Sequence, residues 1–137
     1  MFALVLLLTA DVDTAKLAQE VRATEIAFAK AFADRKLDDF IAFVSDDAVF
    51  VGNNVSRGKA GVRDAWKKMF EGAAPFSWQP DKVEVTASGV LGLSSGPVFD
   101  PSGKRFGTFN STWRLENGKW RIVLDIGCPS CECGEKK

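Results

Sequence analysis

Three groups of side chains in this chain of 137 residues could do chemistry. Asp46 and Asp47 stand side by side ahead of an apolar run, and paired carboxyls can split their pKa values into an acid and a base. The plainer role of such a pair is a helix-to-strand turn in which an aspartate accepts backbone amides. Cys128, Cys131 and Cys133 form C-P-S-C-E-C, where C-x-x-C serves as a redox pair, half a zinc site or a local disulfide. Trp66 and Trp113 each offer a ring face and one N–H donor to a flat apolar ligand, at spacings that suit core residues equally well. The chain contains no histidine and no tyrosine. A Ser-His-Asp triad, a Cys-His pair and a histidine metal site therefore cannot form within one chain. Acid–base work falls to carboxylates, lysine or a thiol.

Lysine plus arginine equals aspartate plus glutamate at 18 each, and no basic stripe runs along the chain, so nucleic acid is not an expected partner. Nor is a membrane: the longest apolar run, Phe2 to Leu8, is far below the ~20 residues that span a bilayer. That run, ending in Thr9-Ala10, reads as the remnant of a secretory signal, which makes the protein an exported one. An N-terminal extension packed on the fold is the alternative. The expected organisation is a signal remnant over 1–10, one domain over 11–127 and a cysteine-containing tail over 128–137.

The elements that must position these groups follow from periodicity. Leu17, Val21, Thr24, Phe28, Ala31 and Phe32 share a stripe and predict a helix over residues 13–34. A short helix follows over Leu37 to Val44, with Asp38 and Asp39 in the first turn, where carboxylates suit the dipole. Ala48 to Val51 reads as a strand ending in Gly52-Asn53-Asn54. Val62, Ala65, Trp66, Met69 and Phe70 predict a helix over Lys59 to Glu71, stopped by Gly72. Arg57 and Lys59, at its start, are solvated or face an anion. After Pro75 the period becomes two, giving strands over Val83 to Ala87, Val90 to Val98 and Arg105 to Leu115, with a last strand to Gly127. Gly92, Gly96 and Gly107 mark bulges or bends. Helices first and antiparallel strands after make an α+β domain.

Asn117-Gly118 predicts a two-residue hairpin turn and with it a register. Leu115 then faces Trp120, Trp113 faces Ile122, Ser111 faces Leu124 and Phe109 faces Ile126 on one side. Arg114 opposes Arg121, Thr112 opposes Val123 and Asn110 opposes Asp125 on the other. The facing arginines need a carboxylate nearby, and Glu84 is the candidate.

The motifs D-D-A-V-F-V-G (46–52), R-G-K-A-G-V-R-D-A-W (57–66) and W-R-L-E-N-G-K-W-R-I-V-L-D-I-G (113–127) resemble the nuclear-transport-factor-two-like superfamily. More narrowly they resemble its SnoaL-like branch of small bacterial domains, over about Asp13 to Gly127. The resemblance implies a cone-shaped cystatin-like/nuclear-transport-factor-two-like fold, three N-terminal helices packed on a curved, mainly antiparallel sheet. It implies a cone lined by Phe28, Phe32, Phe50, Trp66, Phe109, Ser111, Trp113 and Leu124 for a small apolar ligand, unless the rings fill it. It also implies a homodimer through the outer sheet face, on which Asp125 would lie. Ketosteroid isomerases of this superfamily use a carboxylate base, a tyrosine and a protonated aspartate at positions that match Gly52, Phe28 and Ser111 here. No catalytic residue is therefore assigned, and no cofactor or metal is implied. The expected function is a non-catalytic binding or accessory domain with a hydrophobic pocket. The alternatives are an isomerase-, cyclase- or hydrolase-like enzyme using a carboxylate such as Asp47, and a dimeric association module with a filled core. In an exported protein the tail is expected to close a Cys128–Cys131 disulfide, with a metal shared across a dimer as the sharper alternative.

Overall fold

The computed structural model describes residues 10–129. Helix α1 (Thr14–Ala33) starts where the Asp13 side chain accepts the Lys16 amide at 3.0 Å. Helix α2 (Leu37–Ala42) follows, then strands β1 (Val44–Val51) and β2 (Val55–Arg57). Helix α3 (Gly58–Trp66) tightens into a 3-10 turn over Lys67–Phe70. The remaining strands are β3 (Ser77–Trp78), β4 (Lys82–Val85), β5 (Leu91–Phe99), β6 (Arg105–Glu116) and β7 (Lys119–Pro129). The sheet order is β2-β1-β7-β6-β5-β3, with β4 paired to the other half of β5. The β1–β7 pair is parallel and the rest are antiparallel. This is the expected α+β arrangement of helices on a curved, mainly antiparallel sheet. Strands β2 and β3 are additions, too short to carry a period in sequence. The apolar run Phe2 to Leu8, Cys131 and Cys133 lie outside the described residues.

The hairpin turn forms as expected, with positive φ at Asn117 (50°) and Gly118 (78°). Leu115 pairs with Trp120, Arg114 with Arg121 and Trp113 with Ile122. Beyond Trp113 the register slips by one, because Val123 is an extra residue in β7: Thr112 pairs with Leu124, Ser111 with Asp125, Asn110 with Ile126 and Phe109 with Gly127. One added residue reverses every later side chain. Two expectations are corrected by it. Leu124 faces outward and is 50% exposed rather than lining the cone. Asp125 faces inward rather than lying on the outer sheet face. The sequence signal was Ile122-Val123-Leu124, three consecutive apolar residues that break the alternation.

On the outer face Arg114 and Arg121 are neighbours, as expected, but the compensating carboxylates are Asp47 and Glu116, not Glu84. Arg114 Nη2 donates to Asp47 Oδ1 at 2.7 Å and to Ser45 Oγ at 3.0 Å. Inside, Phe28 stacks on Phe40 at 4.2 Å between centroids and Phe32 on Phe76 at 4.8 Å, and Trp66 packs against Phe40 at 4.9 Å. Phe32, Phe40 and Trp113, the last edge-on to Phe28 at 5.7 Å, are wholly buried and fill the closed end of the cone. Burial of such rings is the main apolar contribution to the fold.

Gly96 sits where the chain after β3 crosses β5. A Cβ there would fall 2.2 Å from Gln79 O and 2.9 Å from Asp81 N, both backbone atoms. Gly96→Ala should destabilise the protein by about 2 kcal/mol or more, measured by urea denaturation. A loss below about 0.5 kcal/mol would show that this crossing is not close.

Candidate functional site

Above the filled end the cone opens into a cavity of about 610 Å³. Phe28 of α1, Phe50 of β1, Trp66 of α3, Trp78 of β3 and Phe109 of β6 form its walls, and Gly52 to Asn54, Phe106 and Gly127 to Pro129 surround the mouth. Asp125 of β7, half-buried where it borders the cavity, is the one carboxyl on this mostly apolar lining among the described residues.

Behind that wall lies a polar cluster. Glu25 is wholly buried on the inner face of α1, one turn after Val21 and before Phe28. Its Oε1 accepts the Trp78 indole N–H at 2.7 Å and its Oε2 accepts that of Trp113 at 2.9 Å. Burial raises the Glu25 pKa above the ordinary glutamate value, and the two indole donors oppose that rise. The Ser94 hydroxyl, also buried, has no hydrogen-bond partner among the described residues. Ser94, Ser111 and Asp125 are register neighbours across β5, β6 and β7. Ser111 donates to Asp125 Oδ2 at 3.2 Å. Among the described residues this is the only hydrogen bond to the Asp125 carboxyl.

Burial, and after it the charge of Glu25, pushes the Asp125 pKa up to about 7, while Ser111 pulls the other way. A carboxyl with this value is an acid below neutrality and a base above it. Neither group was found in the sequence. Glu25 lies on the apolar stripe at helical spacing, with Thr24 beside it, and Asp125 was assigned to the wrong face by the uninterrupted register.

Of the expected ligand-binding residues, Phe28, Phe50, Trp66 and Phe109 line the cavity. Phe32 and Trp113 are fully buried in the filled end. Ser111 is buried beneath Asp125, and Leu124 is outside. Trp66 and Trp113 do not clamp the cavity together, because the Trp113 N–H is committed to Glu25. Asp47 does not reach the cone: it is exposed on the outer surface, and hydrogen bonds from Arg114 and Ser45 hold its carboxyl below the ordinary range. Lys59 is 3.9 Å from Asp46, and neither Arg57 nor Lys59 lines the cavity. Cys128 is exposed at the mouth, and its expected pairing with Cys131 falls outside the described residues.

The SnoaL-like domain model matches residues 26–123, and the chain belongs to that family. A comparison with curated proteins gives no significant match. Among solved structures the chain is similar to a nuclear-transport-factor-two-like protein of unknown function from Pseudomonas putida, at 18% identity over 90% of this chain and 94% of that one, with a TM-score of 0.72. It is similar to a candidate calcium/calmodulin-dependent protein kinase type II association domain from Thiobacillus denitrificans, at 24% identity, covering 80% and 94%, with a TM-score of 0.65. A candidate dehydratase of the same superfamily from Streptomyces avermitilis matches at 12% identity, covering 85% and 98%, with a TM-score of 0.69. These likenesses establish the fold.

The raised Asp125 pKa fixes a pH dependence. The native state holds the proton to about 7, whereas an unfolded aspartate releases it near the ordinary value of 3.8. The stabilisation is complete below the unfolded value and is lost as pH rises through the folded one. The lowered carboxyls of Asp34, Asp47, Asp100 and Glu116 act oppositely, and their contribution is lost only in stronger acid. Glu25, raised as well, acts in the same direction as Asp125. Unfolding free energy should therefore fall by about 2 to 3 kcal/mol or more from about pH 5 to about pH 8, and Asp125→Asn should reduce that slope. A slope unchanged in the variant would contradict the assignment.

Proposed function

We propose that the cone binds a small, largely apolar molecule and that Asp125 moves a proton on it, which makes the protein an enzyme of the isomerase or cyclase class. The observation that carries this is a single carboxyl, poised near neutrality, on a mostly apolar cavity wall. As a carboxylate, Asp125 takes a proton from a carbon next to a carbonyl. As an acid it returns that proton to another atom of the same molecule, so no co-reactant is consumed. The vacant ketosteroid-isomerase positions at Gly52, Phe28 and Ser111 do not bear on this, because the proposed acid–base group comes from the last strand. Binding without chemistry is the competing reading. In D₂O, the wild-type protein should accelerate deuterium uptake next to the carbonyl of small aromatic ketones. Asp125→Asn should cut that rate by about 100-fold or more while Asp47→Asn leaves it unchanged. Equal rates in wild type and Asp125→Asn would leave a binding domain only.

A second reading concerns the outer sheet face, and it is compatible with the first. Leu91, Leu93, Leu124 and Ile126 are exposed there, with Leu93 of β5 and Leu124 of β7 flanking Thr112 of β6 in register. An apolar band of this kind on a sheet face suits a second copy of the chain, giving a homodimer. The relative described as an association domain supports this direction. Sedimentation should give a dimer that Leu124→Lys converts to monomer, with the folded spectrum kept. A monomeric wild type at about 100 µM would exclude the dimer at the micromolar affinities of ordinary specific pairs.

A further inference from the structure

Glu25 does not line the cavity, yet among the described residues it is the only charged group that faces Asp125 from the packed elements. From β6 the neighbour is the Ser111 hydroxyl, and from β1 the register partner is Phe50. On α1, Arg22 is turned away to the carbonyls of Pro80 and Asp81, at 3.0 and 3.1 Å. Lys82 and Glu84 of β4 are exposed, and Arg114 of β6 is on the outer face with Asp47 and Glu116. Among the described residues no cation reaches the two carboxyls, so both cannot ionise cheaply in this buried setting.

The hydrogen bonds decide which of them keeps the charge. Each Glu25 oxygen accepts an indole N–H, and two such bonds favour the carboxylate against its burial, whereas Asp125 accepts only one. Asp125 has one oxygen on Ser111 and the other free toward the cavity, so it can carry the proton and present an O–H to a ligand. We propose that Glu25 is a positioning residue whose buried charge keeps Asp125 protonated, so that the pocket selects uncharged molecules bearing a carbonyl over carboxylates of the same shape. This rests on the pocket reading above. A neutral ketone accepts the Asp125 proton in a hydrogen bond. A carboxylate meets the uncompensated charge of Glu25 within the same low-dielectric wall, and is excluded.

The test needs no natural substrate. Carboxyl NMR titration of the full chain should place Asp125 well above the ordinary aspartate range, and Glu25→Gln should lower it by roughly one unit or more. The Glu25→Gln amide would set an N–H donor against one indole N–H, so the reciprocal variant guards against misfolding: Asp125→Asn should lower the Glu25 titration. 2-Acetylnaphthalene should bind the wild type at least about tenfold more tightly than 2-naphthoate at neutral pH, and folded Glu25→Gln should shrink that ratio. Two results would overturn the inference: neither variant shifting its partner's titration, or naphthoate matching the ketone on wild type. If the ketone still binds when the titrations do not shift, the pocket reading survives and only the role of Glu25 fails. If the titrations shift and neither probe binds, the pocket reading fails and the selectivity with it.

Discussion

Glu25 carries a carboxyl into the middle of an apolar core, and the rest of the site depends on how that group is satisfied. An unpaired buried carboxylate costs several kcal/mol, whereas one that accepts two N–H donors is held in place by them. Its donors, Trp78 and Trp113, stand 53 and 88 residues further along the chain. They lie on strands β3 and β6, which flank β5 in the sheet. The pairings fix the rotation of α1 on the sheet, and with it the side of Phe28 that faces the cavity. They also set the polarity of the wall that Asp125 shares.

The second constraint is the extra residue at Val123. Without it the last strand would present Leu124 to the cone and Asp125 to solvent, and the cavity would be a plain apolar cup. With it the apolar side chains move to the outer face, where they form an exposed band, and the acid turns inward. Inner chemistry and outer association surface therefore arise from one slip in register.

Much of the fold was legible in sequence. The three helices, the hairpin turn at Asn117-Gly118 and the inward set Phe28, Phe50 and Phe109 follow from period and turn chemistry, which are local. The site was not legible, because its two members are local exceptions. Glu25 looks like one of the many glutamates on a helix, and only the distant indoles explain its burial. Asp125 looks solvent-facing under strict alternation, and only the three-residue run Ile122-Val123-Leu124 hints otherwise. Asp47, the carboxyl that the sequence offered for an enzyme, is a surface group neutralised by Arg114. Membership of a fold family that hosts varied functions could not settle this either, since function rests in the particular side chains of the cone.

The proposed chemistry and selectivity both turn on a cavity-wall carboxyl that gains and loses its proton near physiological pH. Infrared difference spectroscopy of the ligand-free protein, between about pH 6 and about pH 8.5, reads this directly through the carbonyl stretch of a protonated carboxyl. A carboxylic acid band is expected at the lower pH, fading as pH rises and missing from Asp125→Asn. An identical difference spectrum in wild type and variant, or no protonated carboxyl at all at the lower pH, would contradict it.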